Sequence, residues 1–401
     1  MRGVKVMIDA AECQRLTERK TVDSLGFKAV LREALISGIR PWRASVFLYL
    51  SEPDLATDYI RIMGPILLND SLSKTVTFRI NRLTHDETTR SFNISKRVLE
   101  SFPLTIVVSR EKVSEEAIRA LRLLKREYPA TRIWIDIDDD LFSITEAHPE
   151  YDQYASRLSK LRALIDLADT ITVSTDGVER GLLQAGYEEK QITVIPNYLD
   201  DRIWQLEPTQ RQTGDSSKMR ILYSGTETHD ADLKTVIGAI QSAQETIQEK
   251  LGKDLEVTVF GGTAADIPGL TIVRVPDSKR FYARYVPWLQ DKGPFDFAIA
   301  PLDLNNRLNK SKSALKYLEY SAMGLPAVFT EIEPYVQAID NYENGILVPE
   351  NSQEMWIEAL VSLATDSQLA QRLSDRCHAD VINRYLLSRH FDEWKTIIEP
   401  K

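Results

Sequence analysis

The stretch Ile221-Leu-Tyr-Ser-Gly-Thr-Glu-Thr-His-Asp-Ala-Asp-Leu233 decides the fold class. Its apolar start predicts a strand, Gly225-Thr226 a tight turn, and the residues after the turn a helix. Thr228 or Asp230 is the expected N-cap of that helix. A strand that runs through a glycine turn into a helix opens an α/β unit with a parallel sheet, and phosphates often bind at such a turn.

His229 lies in the same turn and could offer a ligand a hydrogen-bond donor or an acid. The alternative interpretation is structural, because the polar residues around it, Asp232 included, would then only cap the helix. The turn by itself does not decide between the two.

Short β-rich runs alternate with helical patterns along the whole chain. The helical period is clear at Glu115–Glu127 and Tyr154–Leu167. The expected fold class is therefore α/β, with helices wrapped around parallel sheets. The predicted strands are Val4–Asp9, Ser45–Leu50, Thr75–Ile80, Leu104–Ser109, Arg132–Asp138, Thr170–Thr175, Ile192–Asn197, Arg220–Gly225, Leu255–Gly261, Leu270–Val275, Phe295–Pro301, Ala327–Glu331 and Gly345–Pro349.

The chain of 401 residues is long enough for two domains, because single cores stop growing near ~250–300 residues. Periodicity is lost around Leu199 to Met219, where Pro, Gly, Asp and Ser collect, so we predict a linker at 201–218. It separates an N-terminal domain, 1–200, from a C-terminal domain, 219–385. Residues 386–401 are expected to form a helix that packs back on the N-terminal domain.

Composition excludes several classes of protein. No segment reaches the ~18 consecutive apolar residues of a membrane span, and the N-terminus lacks the apolar core of an export signal. Cys13 and Cys377 are too few for a disulfide framework or a cysteine-based metal site, so both should be reduced. We expect a cytoplasmic protein.

The net charge of −9 is unevenly distributed. Residues 1–132 hold 23 Lys and Arg against 16 Asp and Glu, whereas the remainder holds 27 against 43. A basic N-terminal third can attract the inner face of a membrane, a phosphorylated acceptor or nucleic acid, and nucleic acid is the weakest of these because no RNA-binding or zinc-finger signature accompanies it. The alternative is a solvated surface with an accidental bias.

A second stretch, residues 309–326, reads Asn-Lys-Ser-Lys-Ser-Ala-Leu-Lys-Tyr-Leu-Glu-Tyr-Ser-Ala-Met-Gly-Leu-Pro. A helix capped by Ser311 or Ser313 and ended by the Gly-Leu-Pro would carry Lys312 and Glu319 on one face. Their separation of roughly 10 Å suits one ligand, with a diphosphate at the helix N-terminus beside Lys312 and a ribose diol at Glu319.

The alternative is an ordinary amphipathic helix with Lys316, Glu319 and the other charged residues in solvent. The preceding strand favours the ligand. Residues 295–302 are apolar and end at Pro301, so the loop through Asn309 should lie at the carboxyl edge of the sheet, where open α/β folds bind ligands.

Together these motifs resemble the retaining glycosyltransferases of family 4, or glycosyltransferase group 1, and within them the branch found in bacterial surface-polysaccharide clusters. The resemblance covers roughly residues 104–400. It rests on the Gly225 turn, the Ala-Pro-Leu strand end, the 309–326 stretch, Pro334-Tyr335, Gly345–Val348, Ile135–Leu141, Ala168–Thr175 and Val194–Asn197.

The resemblance implies a GT-B architecture, in which two Rossmann-like domains face each other across a cleft. The first would hold the acceptor and the second a nucleotide diphosphate sugar, with no metal and no cofactor. Glu319 matches the family's ribose-contacting Glu, whereas Ser311 occupies the position of its sugar-contacting Glu. Thr226, Thr228 and His229 replace the usual Arg and Lys after the glycine turn, so Lys312 is expected to bind the diphosphate instead.

The candidate acceptor residues follow strands of the N-terminal domain. Asp138 and Asp139 could contact acceptor hydroxyls, and Arg110 an acceptor phosphate or carboxylate, although a surface Arg is an equal alternative. Asp140 is expected to cap its loop. We do not expect these carboxylates to hold a metal, since they would lie away from the diphosphate and GT-B enzymes generally need none.

The predicted function is transfer of a sugar, rhamnose or another hexose, to a cell-surface glycan such as O-antigen, capsule or S-layer glycan. The acceptor would be a glycan or a lipid-linked glycan, met at the inner membrane face through the basic third. Two alternatives stay open: a catalytically silent nucleotide-binding subunit and a nucleotide-sugar epimerase. The candidate catalytic residues are Lys312 and His229, and the candidate donor-binding residues are Gly225, Thr226, Pro301, Asn309, Ser311, Lys312, Ser313 and Glu319.

Overall fold

The computed structural model describes residues 10–51, 56–69, 72–144, 151–207, 217–225, 229–261 and 270–399. The chain divides into two compact units. The first unit comprises Met1–Arg202 and Leu387–Lys401, and the second comprises Ile203–Leu386. Both are α/β units with parallel sheets, as the alternating pattern predicts.

The first unit is built on a seven-stranded parallel sheet and a short antiparallel hairpin. Its strands are β1 (Thr21–Val22), β2 (Ser45–Leu50), β3 (Thr75–Ile80), β4 (His85–Asp86), β5 (Ser91–Phe92), β6 (Leu104–Ser109), β7 (Arg132–Ile137), β8 (Thr170–Val173) and β9 (Ile192–Val194). The sheet order is β1-β3-β2-β6-β7-β8-β9, and β4 pairs with β5.

The second unit is built on a six-stranded parallel sheet. Its strands are β10 (Lys218–Ser224), β11 (Asp254–Phe260), β12 (Leu270–Val273), β13 (Phe297–Ala300), β14 (Ala327–Thr330) and β15 (Ile346–Val348). The order β12-β11-β10-β13-β14-β15 places the third, second and first strands on one side and the fourth, fifth and sixth on the other. This is the doubly wound nucleotide-binding order, whose direction reverses between the first and fourth strands.

Helices cover the sheets. They are α1 (Ala10–Lys20), α2 (Phe27–Ile36), α3 (Ala56–Asp58), α4 (Lys96–Ser101), α5 (Glu115–Glu127), α6 (Tyr151–Ile165), α7 (Asp176–Gln184), α8 (Asp230–Lys234), α9 (Ile237–Leu251), α10 (Tyr282–Gln290), α11 (Leu315–Ala322), α12 (Glu333–Val336), α13 (Gln353–Thr365), α14 (Ser367–Arg384) and α15 (Phe391–Ile398). The structure also has a π-helix at Tyr59–Leu67 and short 3-10 helices, among them Pro41–Arg43, Leu141–Ser143 and Arg307–Lys310.

Twelve of the thirteen predicted strands are present, and the thirteenth, Val4–Asp9, lies outside the described residues. Ser45–Leu50, Thr75–Ile80 and Leu104–Ser109 have the predicted bounds. Ser45–Leu50 and Leu104–Ser109 are largely apolar, as expected of parallel strands that are buried on both faces, and this makes their ends recognisable in the sequence.

The interior of the first unit contains an ion pair. Arg61 Nη2 lies 2.7 Å from Asp136 Oδ1, and both side chains are buried. The Arg61 guanidinium also lies over the ring of Trp394 in α15, 4.9 Å from its centroid. Trp394 is itself buried. The ion pair joins the π-helix to β7. Each partner is needed by the other, because a buried charge is tolerated only when it is paired.

Part of the segment predicted as a linker is packed. Asp201, Ile203 and Trp204 are buried, whereas residues 208–216 lie outside the described residues. Cys13 and Cys377 are buried free thiols, as predicted. In the part of the chain that the structure describes, no helix is long and apolar enough to cross a membrane.

Candidate functional site

The candidate site of the second unit lies where the strand order of its sheet reverses. β10 ends at Ser224 and leads into Gly225, while β13 ends at Ala300 and leads into the buried Pro301. In open α/β sheets, ligands bind outside the carboxyl ends of the strands at this point. The hydroxyl of Tyr320 ties the two strand ends together, since it accepts from Ser224 N at 3.1 Å and donates to the Ile299 carbonyl at 3.1 Å.

Asp232, the third residue of α8, organises the polar groups of this edge. Its Oδ1 accepts hydrogen bonds from Asp303 N at 2.7 Å and from Asn309 Nδ2 at 2.8 Å. Its Oδ2 lies 2.7 Å from His229 Nδ1 and 4.0 Å from Lys312 Nζ. One buried carboxylate therefore joins the turn after β10 to the loop after β13.

Lys312 completes the cluster, with its Nζ 3.4 Å from His229 Nδ1. Lys316 lies nearby, with its Nζ 5.0 Å from the centroid of the Tyr223 ring, and the Tyr223 hydroxyl donates to the His229 carbonyl at 3.3 Å. The predicted residues His229, Lys312 and Asn309 are thus brought together around Asp232. We call His229, Asp232, Lys312 and Lys316 the cationic cluster.

The charges of the cationic cluster follow from its burial and its close contacts. Burial favours a raised pKa for Asp232, but the hydrogen bond with His229 and the charge of Lys312 outweigh it and hold the pKa at about 2. The charge of Lys316 and burial lower the pKa of His229 to about 4. Burial and the charge of Lys312 lower the pKa of Lys316 to about 8. Near pH 7 the cluster therefore has two lysine cations, one carboxylate and a neutral imidazole, which is a net attraction for an anion.

The predicted start of the helix in the 309–326 stretch was wrong. The structure has a 3-10 helix at Arg307–Lys310, and α11 begins only at Leu315, with Ala314 as an N-cap that makes no side-chain cap bond. Lys312 therefore precedes the helix and does not share a helical face with Glu319. The side chain of Lys312 lies instead against Asp232 and His229, contacts that no local pattern reveals.

The predicted N-cap residues also need correction. Ser311 is buried, and its Oγ donates to the Leu308 carbonyl at 3.0 Å. Asp230 is the first residue of α8, whose N-cap is His229, again without a side-chain cap bond. Ser313 is half-buried between the 3-10 helix and α11. Thr226 and Thr228, both predicted to serve the turn, lie outside the described residues.

Glu319 is not on a solvated face. It is only 6% exposed, and its Oε1 accepts a hydrogen bond from the Tyr282 hydroxyl at 2.7 Å. Burial raises the pKa of this carboxyl group to about 7. These contacts contradict the amphipathic alternative for this residue.

Asn309 is fully buried and makes two hydrogen bonds through its Nδ2, to Asp232 and to the Asp303 carbonyl at 2.9 Å. Its Oδ1 is buried and has no hydrogen-bond partner among the described residues. An unmet buried acceptor is uncommon in proteins and is suited to a donor group of a ligand.

In the first unit, the candidate acceptor residues form one cluster at the carboxyl edge of the sheet. Arg110 follows β6 with φ 58, its Nε lies 3.0 Å from Asp138 Oδ1, and its Nη2 lies 2.5 Å from Asp139 Oδ2. Burial raises the pKa of Asp138 to about 7. Asp140 caps the 3-10 helix at Leu141–Ser143 by accepting from Phe142 N, as predicted. Among the described residues, no group of three His, Cys, Asp or Glu is arranged to hold a metal ion.

Residues 220–366, which span most of the second unit, match the family model of glycosyl transferases group 1. The second unit therefore carries a group 1 glycosyltransferase domain, which confirms the prediction of a transferase. No relative is found among curated protein sequences.

Solved structures share the fold over most of the chain. They include sucrose-phosphate synthase from Thermosynechococcus elongatus, with 13% identity, TM-score 0.58, and coverage of 88% of this chain and 98% of that one. HepE of Anabaena, in complex with UDP-glucose, has 12% identity and a TM-score of 0.58. The match covers 88% of this chain and 98% of the HepE chain. The fold is GT-B. A TarM mutant from S. aureus, in complex with Fondaparinux, alpha-GlcNAc-glycerol and UDP, gives 11% identity and TM-score 0.50 over 74% of this chain, which spans only 55% of the TarM chain.

Two residues of the cationic cluster, Asp232 and Lys316, were not among the candidate site residues. For Asp232 the sequence leaves helix capping open beside a role in the turn with His229, and for Lys316 it leaves a solvated helix face open. The sequence signal for Asp232 is its place three residues after His229 in the glycine turn. Its partners Asp303 and Asn309 are 71 and 77 positions further along the chain and could not be paired with it from sequence.

Proposed function

We propose that this protein is a retaining glycosyltransferase that moves a sugar from a nucleotide diphosphate sugar to a cell-surface glycan. The observation that carries the proposal is the cationic cluster at the strand reversal of the second sheet. Two lysines around one carboxylate suit a diphosphate, which is a compact dianion or trianion. The TarM and HepE structures, which contain UDP and UDP-glucose, support a nucleotide donor.

In the proposed step, the bond between the sugar carbon and the diphosphate oxygen breaks. The acceptor oxygen bonds to the same carbon from the same face, and its proton passes to the departing phosphate, so no separate base is needed. Lys312 and Lys316 stabilise the negative charge that builds on the diphosphate. Replacing Lys312 by Ala should lower turnover by ~10²–10³, the scale for one donor to a developing oxyanion.

His229 would respond to the bound diphosphate. Its Nδ1 faces the ionised Asp232, so the neutral ring keeps its proton on Nδ1 and presents Nε2 as an acceptor. The charge of Lys316 is the largest cause of its low pKa. A diphosphate that neutralises this charge would raise the pKa of His229 and allow Nε2 to take a proton and donate to a phosphate oxygen.

The remaining donor contacts are proposed from position. Glu319, held by Tyr282, would accept from a ribose hydroxyl, and Asn309 Oδ1 from a hydroxyl of the transferred sugar. Gly225 and Thr226 would bring backbone N–H groups to the phosphates. Pro301, Ser311 and Ser313 would line the walls of the donor site.

The acceptor is proposed to be a glycan or lipid-linked glycan of the cell surface, in keeping with the TarM structure that holds alpha-GlcNAc-glycerol. Arg110 with Asp138 and Asp139 is the proposed acceptor-binding group of the first unit. Its hydrogen-bonding capacity suits hydroxyls, because an arginine paired with two carboxylates offers donors and acceptors in one fixed arrangement. The transferred sugar would be rhamnose or another hexose.

One observation favours the silent subunit as a second candidate. Ser311 stands where the resembled family has its sugar-contacting Glu, and its hydroxyl is turned to the Leu308 carbonyl. Such a site could bind a nucleotide without transferring the sugar. An epimerase is the remaining alternative and differs from both in needing no acceptor.

Two measurements test the proposal. A thermal-shift screen against UDP-, GDP-, ADP- and dTDP-sugars should find one donor, since a ligand at about 100 times its dissociation constant stabilises by ~2.7 kcal/mol. Products should then be analysed by NMR with the donor alone and with glycan acceptors. Acceptor-dependent transfer with retained anomeric configuration supports the proposal. Binding without turnover identifies a silent subunit, and a changed sugar without acceptor identifies an epimerase.

A further inference from the structure

The first unit exposes an apolar patch made by the end of α2 and the 3-10 helix at Pro41–Arg43. Leu35, Ile36 and Trp42 are 68%, 53% and 78% exposed, and we call them the Trp42 patch. Ile39 N donates to the Ala34 carbonyl at 2.8 Å, which folds the connecting loop back against the end of the helix. The three side chains are therefore presented from one short, anchored segment.

This exposure stands out from the rest of the described surface. The other exposed large hydrophobic residues are at most 44% exposed and occur singly along the chain. Single exposed apolar residues are normal, whereas a cluster of three with a nearly fully exposed Trp is characteristic of a binding surface. Four of the other five Trp residues are at most 1% exposed.

Positive charge surrounds the Trp42 patch. Lys28 and Arg32 lie one turn apart on α2, on the face that continues to Leu35 and Ile36, and Arg40 and Arg43 flank Trp42. All four basic side chains are exposed, and none has an ion-pair partner among the described residues. From 27 to 43 the single acidic residue is Glu33, which is buried and paired with Arg19 at 3.2 Å.

We propose that the Trp42 patch docks the protein on an anionic lipid bilayer. Trp is favoured at the interface between headgroups and acyl chains, Leu and Ile would enter the acyl boundary, and the basic residues would meet lipid phosphates. Nucleic acid would use the charges but leave the three apolar side chains in water. The four unpaired cations argue against a second copy of the same patch, because two copies would bring like charges together.

This inference extends the proposed function, since a lipid-linked acceptor would be met at the bilayer. Membrane docking is measured without donor or acceptor, so the two proposals are tested separately. Docking can fail while sugar transfer is observed, and transfer can fail while docking is observed.

The test uses the full chain with vesicles of phosphatidylcholine alone or mixed with phosphatidylglycerol. Bromine-labelled lipids quench Trp that enters the bilayer, and Trp42 is the most exposed Trp of the chain. We expect co-sedimentation and quenching with the anionic vesicles only. Trp42→Phe should keep binding and remove the quenching, which identifies the residue that inserts.

Substitutions separate the apolar and ionic contributions. Arg43→Ala should weaken vesicle binding roughly fivefold, the equivalent of one basic residue near an anionic surface. Trp42→Ala, or Leu35→Ser with Ile36→Ser, should weaken it about tenfold or more. Matched controls in the second unit are Val336→Ser and Arg372→Ala, which should leave binding unchanged.

Two results would overturn the proposal. One is equal binding of wild type and Trp42→Ala to anionic vesicles, which would mean that general charge attraction alone is responsible. The other is absence of binding to the anionic vesicles, and a dimer in sedimentation velocity that Trp42→Ala abolishes would then assign the patch to self-association.

Discussion

Replacing Asp232 tests whether one carboxylate organises the donor site. In Asp232→Ala the N–H of Asp303 and one N–H of Asn309 lose the acceptor that lies 2.7 and 2.8 Å away. An unsatisfied buried donor costs ~1–3 kcal/mol, and Asn309 keeps its second bond to the Asp303 carbonyl, so a total near ~2 kcal/mol is expected. That loss should raise the open population of the loop after β13, and with it the rate of amide exchange, by roughly 30-fold.

Asp232→Asn separates shape from charge. The amide oxygen can still accept from Asp303 and Asn309, so the loop should stay closed to within ~1 kcal/mol. Its NH₂ would face His229 Nδ1, which must then act as the acceptor and leave the proton on Nε2. This variant should therefore keep the loop but change the nitrogen shifts of His229.

Hydrogen exchange followed by mass spectrometry reports the loop directly, because peptides that span residues 301–314 contain the Asp303 amide. Asp291→Ala, an exposed carboxylate of the same unit, is the control and should exchange like wild type. Unchanged protection of the loop in Asp232→Ala, with unchanged nucleotide affinity, would refute the organising role of this carboxylate.

Other predictions concern ionisation and buried charge. Raising the pH from about 7 to about 9 should weaken UDP binding in calorimetric titrations, because Lys316 loses its proton near its pKa of about 8, and Lys316→Arg should remove the effect. The raised pKa of Glu319, about 7, means that its contribution to stability is full below the ordinary pKa of 4.5 and lost as pH rises through about 7. Denaturant unfolding of Glu319→Gln should therefore show a flatter dependence on pH across that window. Asp136→Asn should destabilise the first unit by ~3–5 kcal/mol by leaving Arg61 unpaired, whereas Asp23→Asn on the surface should be neutral in the same unfolding experiment.

The strands and the doubly wound layout could be predicted because their signals are local. A buried parallel strand is an apolar run between turn residues, and α5 has the predicted bounds Glu115–Glu127 because Ser114 caps an amphipathic pattern, accepting from Ala117 N. The glycine turn after β10 predicts the edge of the sheet at which His229 lies, and the apolar strand that ends at Pro301 predicts the same edge for the segment of Lys312.

The details of the site could not be predicted because they depend on contacts between distant segments. Ser311 and Ser313 are good N-cap residues, but a 3-10 helix and the contact of Lys312 with Asp232 delay the start of α11 to Leu315. Glu319 has the spacing of a solvated residue, yet it is buried and accepts a hydrogen bond from Tyr282, which lies 37 positions earlier in the chain. Local propensity yields to tertiary packing in both places.

The central claim, that the cationic cluster binds the diphosphate of a nucleotide, is tested most directly by titrating UDP, GDP, ADP and dTDP into three proteins. These are wild type, Lys312→Ala and Lys310→Ala, the last being an exposed lysine two positions away. We predict that wild type binds at least one nucleotide, that Lys312→Ala weakens this binding by ~10–100-fold, the range for a charge-assisted hydrogen bond, and that Lys310→Ala binds like wild type. Equal affinity in all three proteins, or no binding to wild type, would contradict the claim.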